Sequence, residues 1–182
     1  MNDYMLILAS AALVSHLLLQ QQPLSRLRLH VCGLAGALCM ALGASGGQAL
    51  ERLIVAPWQL QDLRLFLLLP WLALLAWGVP RALGGLRPQW PTGELALPLL
   101  GNAMLLGLTL QATADDTSVL ATLCWGALAG LGFWLALMLF DDLHQRSQQA
   151  EVPAALRGLP ITLIGAGVMA LAFSGFNGLF FQ

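Results

Sequence analysis

The chain has 182 residues, 58% of them hydrophobic and 9% charged, with a net charge of −1. A soluble domain carries about 25% charged residues, so a chain this apolar has too little polar surface to face water. All eight cationic residues are arginine, and the near-zero net charge leaves no footprint for a nucleic acid.

A helix crossing the hydrocarbon core needs about 20 apolar residues, fewer when the span is short or tilted. Six candidates follow one another: Tyr4–Leu19, Val31–Leu50, Leu63–Val79, Leu95–Leu110, Val119–Phe140 and Leu159–Phe181. Their apolar runs are continuous rather than alternating, which argues against membrane strands. The first span has no basic stretch ahead of it, and Asp3 is the only early charge. It therefore reads as a retained span rather than a cleaved signal peptide. His16 lies inside it. An ionisable residue within a span is a functional candidate, able to bind a proton or to contact a redox group. The structural alternative is a neutral imidazole bonded to a neighbouring helix. The span then runs into Gln20-Gln21-Gln22-Pro23.

The second span carries Cys32 and Cys39, seven residues apart on one helix face. Their separation of about 10 Å is too large for one small cluster. The fourth span contains Leu97-Pro98-Leu99-Leu100-Gly101-Asn102. Proline removes a backbone donor and glycine weakens a helix, so spans one and four are candidates for broken or re-entrant half-helices; the alternative is that Pro23 and Pro98 merely sit near helix ends, where proline is tolerated. Asp115-Asp116 reads as a turn. The fifth span starts near Cys124, includes the small-residue face Gly126-Ala127-Leu128-Ala129-Gly130, and ends at Asp141-Asp142. The small residues permit close helix packing, inside the bundle or against a partner. The acid pair reads as a solvated helix end, with cation attraction at a pathway mouth as the functional alternative. Acids at a helix C-terminus oppose the helix dipole, so helix stability does not explain them. His144 and Arg146 follow close enough to neutralise them. The three cysteines form no Cys-x-x-Cys pair and read as small buried hydrophobes. Trp58, Trp77 and Trp90 sit near expected membrane interfaces.

Arg26, Arg28, Arg81, Arg87, Arg146 and Arg157 all fall on one side of this arrangement. Arg52 and Arg64 fall on the other, near Glu51 and Asp62. The positive-inside rule then puts both termini outside the cytoplasm, in the periplasm of a Gram-negative cell. Residues 1–182 thus read as a single integral, all-α membrane domain. Its six transmembrane helices form two inverted three-helix repeats, roughly 1–80 and 94–182. Repeats of this kind place functional sites near the bilayer midplane, at paired interrupted spans.

The C-terminal part carries a resemblance. Glu151-Val152-Pro153-Ala154-Ala155-Leu156-Arg157-Gly158 feeds an apolar helix with Gly165-Ala166-Gly167-Val168-Met169-Ala170-Leu171-Ala172-Phe173-Ser174-Gly175-Phe176-Asn177-Gly178-Leu179. From about Gly126 to Leu179 the chain resembles RnfA, also called RsxA, the NqrE-like integral subunit of Rnf-type electron transport complexes. The resemblance implies a membrane subunit of an inner-membrane complex coupling electron transfer between ferredoxin and NAD to ion translocation. It implies an inverted partner subunit, RnfE-like, and further flavin- and iron-sulfur-bearing subunits. It also implies a [2Fe-2S] cluster shared with that partner, held by cysteines in spans one and four. The positions matching those ligands are Gln22 and Ala103, neither of which supplies a thiolate. Asn102 is retained beside the second. No cofactor ligand is therefore assigned, and His16, Asn102, Asp141 and Asp142 remain the candidate functional polar residues.

Nothing resembles a hydrolase triad, a phosphate-binding glycine loop, a zinc motif or a haem-attachment motif. Too little sequence lies outside the spans to hold a nucleotide or flavin domain, so such a subunit is not catalytic on its own. Two other readings stay open: a redox-inactive structural paralogue within such a complex, and a small unrelated transporter using spans one and four as its path.

Overall fold

The computed structural model of the chain describes residues 10–17, 26–93, 95–114, 117–149, 153, 156 and 158–180. The regular structure among these residues is all helical, with no strand among them. Helix α1 covers residues 10–17, and α2 covers Arg26–Leu50. A π-helical turn, Glu51–Val55, carries α2 into α3, Ala56–Trp58. Gln59 ends this rod in the left-handed conformation (φ 53°). Helix α4 is Arg64–Leu86, α5 is Ala96–Leu100 and α6 is Ala103–Ala114. The long helix α7 is Val119–Gln149, and α8 is Leu159–Phe180. Three stretches are long and apolar enough to cross a membrane: Arg26–Trp58, Gln61–Leu86 and Val119–Ser147. Shorter apolar helices are Ala103–Ala114 and Leu159–Phe173. This is an all-helical, multi-pass membrane protein.

The centre of the bundle is the seam between α2 and α7. The two run antiparallel. The Arg26 guanidinium donates to Gln145 Oε1 (3.3 Å) at one end, and Gln48 Nε2 donates to the Thr117 carbonyl (2.8 Å) at the other. Midway along, a Cβ on Gly126 would lie 2.8 Å from the Met40 carbonyl oxygen, and one on Gly130 would lie 2.4 Å from the Ala37 Cα. Only glycine lets the two backbones approach this closely. Lipid tails are as apolar as leucine, so such packing contact, rather than escape from water, holds membrane helices together. The small-residue face of α7 is therefore spent inside the bundle. On α2, Gly33 and Gly36 receive Trp134 and Phe133 of α7, while Gly46 receives Trp71 of α4.

The other helices take their directions from this seam. On α4, Leu68 packs at Gly47, while Leu75 offers its carbonyl to the Cys39 thiol (3.7 Å), so α4 runs antiparallel to α2. Leu99 lies beside Gly36, Leu105 beside Gly43 and Thr109 beside Gly47, so α5 and α6 run parallel to α2. Thr162 meets His144 and Gly165 meets Leu143, so α8 runs back along α7. Arg26, Arg28, Arg81, Arg87 and Arg146 are thereby gathered toward one end. Arg52 and Arg64 lie at the other, where Arg64 pairs with Glu51 through two hydrogen bonds of 2.8 and 3.0 Å.

The sides of the bundle are apolar. Phe66, Leu74 and Trp77 on α4, Trp125, Leu128 and Leu135 on α7, and Leu163, Val168 and Leu171 on α8 are all exposed. A surface this apolar is suited to lipid or to another membrane protein.

The two largest boundary differences from the sequence reading are at the ends of α7 and α4. Helix α7 continues nine residues past Phe140, because the polar tail makes its own i,i+4 links. Gln145 Nε2 donates to Asp141 Oδ2 (2.7 Å), and Arg146 pairs with Asp142 (3.0 Å). Helix α4 runs on to Leu86 with Pro70 and Pro80 inside it.

Candidate functional site

Two features stand out, one at mid-depth and one at the arginine-rich end. The first is the interruption between α5 and α6. Pro98 does not cause it directly. It sits in the first turn of α5, where its missing N–H is not needed. The break falls three residues later, at Gly101 and Asn102, where Gly101 has φ −75° and ψ 0° and closes α5 by donating to the Leu97 carbonyl (3.0 Å). Asn102 starts the next helix. Its Oδ1 accepts from the Met104 amide (3.0 Å) and its carbonyl accepts from the Leu105 amide (3.1 Å). That is an N-cap, worth about 1 kcal/mol. In a bilayer it also spares a backbone donor from standing unpaired in hydrocarbon. Asn102 is 3% exposed. Leu99 packs at Gly36 and Leu105 at Gly43, so the break lies level with Ala37–Ala41, where Gly126 and Gly130 bring α7 closest. The positive end of the α6 dipole is thus placed in the middle of the molecule. Ala103, the first residue of α6, is exposed on the flank of the chain.

The second feature is a buried polar cluster. His16, on α1, has no solvent exposure, and its Nε2 lies 3.4 Å from Asp141 Oδ1 on α7. Asp141 is itself buried and is not the solvated helix end that the acid pair suggests. Gln145 reaches back to its other oxygen and holds the Arg26 guanidinium on its far side. Asp142 alone keeps the exposed role, paired with Arg146. The His16 ring meets Phe140 edge-on (4.9 Å between centroids) and His144 likewise (5.2 Å). His144 Nδ1 is 3.4 Å from Thr162 Oγ1 on α8. A cleft between α7 and α8, lined by His144, Ser147, Thr162 and Gly165 among others, leads to this group.

The structure thus brings His16 and Asp141 together across 125 positions, and sets Asn102 apart from both. Gln22 and Asp115-Asp116 lie outside the described residues. Gln145, Thr162 and Arg26 join the cluster although the sequence did not mark them for it. The only available signal was the i,i+4 spacing of Asp141 and Gln145. Cys32 and Cys39 are buried on α2 and Cys124 is exposed. Among the described residues, no three His, Cys, Asp or Glu side chains are grouped so as to hold a metal ion.

Residues 95–180 match the family model described as "Rnf-Nqr subunit, membrane protein". Similarity to known proteins extends further. The chain is 30% identical to the RnfA component of the "Ion-translocating oxidoreductase complex" of Rhodobacter capsulatus, across 98% of both chains. The chain belongs to the RnfA family. Another relative, the corresponding component of the same-named complex in Syntrophotalea carbinolica, is 34% identical over 81% of this chain and 77% of its own. The corresponding component of the "Na(+)-translocating ferredoxin:NAD(+) oxidoreductase complex" of Acetobacterium woodii is 42% identical over 84 residues, 46% of this chain and 44% of that one. The family match includes both the α5–α6 break and the whole of α7 and α8.

Proposed function

We propose that this chain is a membrane-core subunit of an Rnf-type complex that couples electron transfer between ferredoxin and NAD to ion translocation across the bacterial inner membrane. The observation that carries this reading is the alignment with an RnfA protein over 98% of both chains. The six-span topology in two inverted halves belongs to the same proposal. It is supported by the antiparallel α2–α7 seam, with α4 folding back along α2 much as α8 folds back along α7. The distribution of arginines between the two ends supports a cytoplasmic arginine-rich face and periplasmic termini. An RnfE-like subunit of opposite orientation is the proposed partner at the flank that carries Ala103.

A [2Fe-2S] cluster takes thiolate ligands, and the Ala103 methyl offers no donor atom. Cys39 already directs its thiol to a backbone carbonyl, and Cys32 is on the same buried helix. The side chains present do not fit a family-type cluster, and no electron-transfer step is assigned to this chain. This favours the second reading, a redox-inactive scaffold within the complex.

The deciding experiment is iron content and low-temperature EPR of the purified membrane complex containing this chain, reduced with dithionite. Normal signals from peripheral subunits without a core [2Fe-2S] signal are expected. A core cluster signal would overturn the scaffold reading. Failure of the chain to purify with redox subunits would overturn the complex itself.

A further inference from the structure

The buried cluster at the arginine-rich end has no task in the reading above, and its chemistry is specific. We infer that His16 and Asp141 form a proton-binding pair, loaded from the arginine-rich end through the α7–α8 cleft by way of His144. Three observations meet here. His16 is wholly buried, one ring nitrogen is directed at a carboxylate, and the other, Nδ1, has no hydrogen-bond partner among the described residues. A neutral imidazole that donates from Nε2 presents Nδ1 as a bare acceptor. A proton taken up at Nδ1 turns the ring into an imidazolium whose other nitrogen faces the Asp141 carboxyl group. Buried charges persist when they are paired in this way.

The surroundings fit a proton better than a metal cation. His16 Nε2 and Asp141 Oδ1 are 3.4 Å apart and face each other, which leaves no ligand shell between them. The groups around the pair come from four helices. From α7 come Asp141, His144 and Gln145, while Asp142 turns outward to Arg146. From α2 comes Arg26, one step removed through Gln145. Thr162 comes from α8, which carries no titratable side chain. Ser15 is the polar neighbour on α1. His144 stands between the cleft and His16, its ring 5.2 Å from that of His16. In one loading event, hydronium in the cleft gives its proton to His144 and becomes water. His144 passes a proton to His16, and the net change is one proton bound with no electron moved.

Ion coupling in the proposed complex would give this pair its use, but proton binding stands on the geometry alone. The test is therefore made on the full chain in lipid nanodiscs, with nitrogen-15-labelled histidine followed by NMR from about pH 5 to about pH 9, the range in which histidine switches. Single replacements of His16, His30 and His144 by Gln assign the three signals. The His16 signal is expected to pass from neutral imidazole to imidazolium within that range. Asp141→Asn should weaken its proton binding about tenfold or more, through loss of the facing charge. Gly165→Leu, which fills the cleft, should slow proton exchange at His16 and leave its midpoint in place. A His16 that stays neutral in one tautomer throughout overturns the inference. So does an Asp141→Asn titration identical to the wild type, or a His16 signal displaced by sodium at constant pH, which would make the pair a metal-cation site. If Asp141→Asn does not fold, Asp141→Glu, which keeps the facing carboxylate, should retain a His16 titration within the same range, and a His16 that stays neutral in it overturns the inference. A flat titration would leave membership of the complex intact, and failure to join a complex would leave the titration intact.

Discussion

The α5–α6 break and the His16–Asp141 cluster solve opposite problems. At the break, backbone groups lie at mid-depth and are satisfied locally, by neighbouring backbone and, at the Met104 amide, by the Asn102 side chain. The chemistry there is confined to residues 97–105, and the flank it presents ends in a methyl group. In the cluster, ionisable side chains are brought together from α1, α2 and α7, and a threonine of α8 joins them. One region is self-sufficient and chemically quiet. The other is chemically loaded and needs the whole bundle to exist. Functional potential and structural independence are therefore separated in this chain.

That contrast can be broken at several places. Both regions hang on the α2–α7 seam, so Gly130→Leu should damage both. The new side chain meets the Ala37 backbone, and the helices must part. A loss of about 3 kcal/mol or more is expected, overpacking of this kind costing about 1–3 even where the neighbour can move. Thermal unfolding in lipid nanodiscs reads it, and a variant of wild-type stability would show that the seam is not the foundation. Asp141→Ala should act on one region only. It leaves His16 and Gln145 without their acceptor, at about 1–3 kcal/mol. Hydrogen exchange should rise in α1 and the last turns of α7 while α6 stays protected. Equal loosening of α6 would contradict the separation.

Asn102→Ala is the mirror experiment. It removes the cap of α6 at about 0.5–2 kcal/mol, with faster exchange at the Met104 amide and no change around His16. The smallest effect belongs to Ala103→Cys, which touches an exposed position and should change stability by less than about 0.5 kcal/mol. In a Cys124→Ser background, a nitroxide attached there in detergent and carried into nanodiscs should be relaxed by oxygen and not by a water-soluble nickel chelate, as a lipid-facing site is, while the buried Cys32 and Cys39 stay unlabelled. A nitroxide reached by neither relaxant would place Ala103 inside the bundle rather than on its flank.

The two regions were unequally legible in the sequence. The apolar runs give away α2, α4, α7 and α8, because a lipid-facing helix must be hydrophobic along its whole length. Gly126 and Gly130 mark the seam for the same kind of reason, since small residues let helices touch. The break was visible in Pro98, Gly101 and Asn102, although proline draws the eye three residues too early. The cluster was visible only as fragments. His16 and Asp141 each stood out as polar residues at apolar runs, but no periodicity links positions 125 apart. Asp141 looked like a solvated end because the hydropathy falls there. At that point α1, from a distant part of the chain, sets the buried His16 against it. The extra length of α7 was likewise hidden, since Asp142–Arg146 and Asp141–Gln145 links stabilise a helix whose hydropathy has already ended.

The cap at Asn102 has one more consequence. Because the interruption is held open by an amide that answers to its own helix, its shape does not depend on whatever occupies the next position. A ligand-bearing side chain at residue 103 can then be gained or lost without the membrane fold registering the change. The scaffold and the side chain at that position are therefore separable, and the fold itself does not police what stands there.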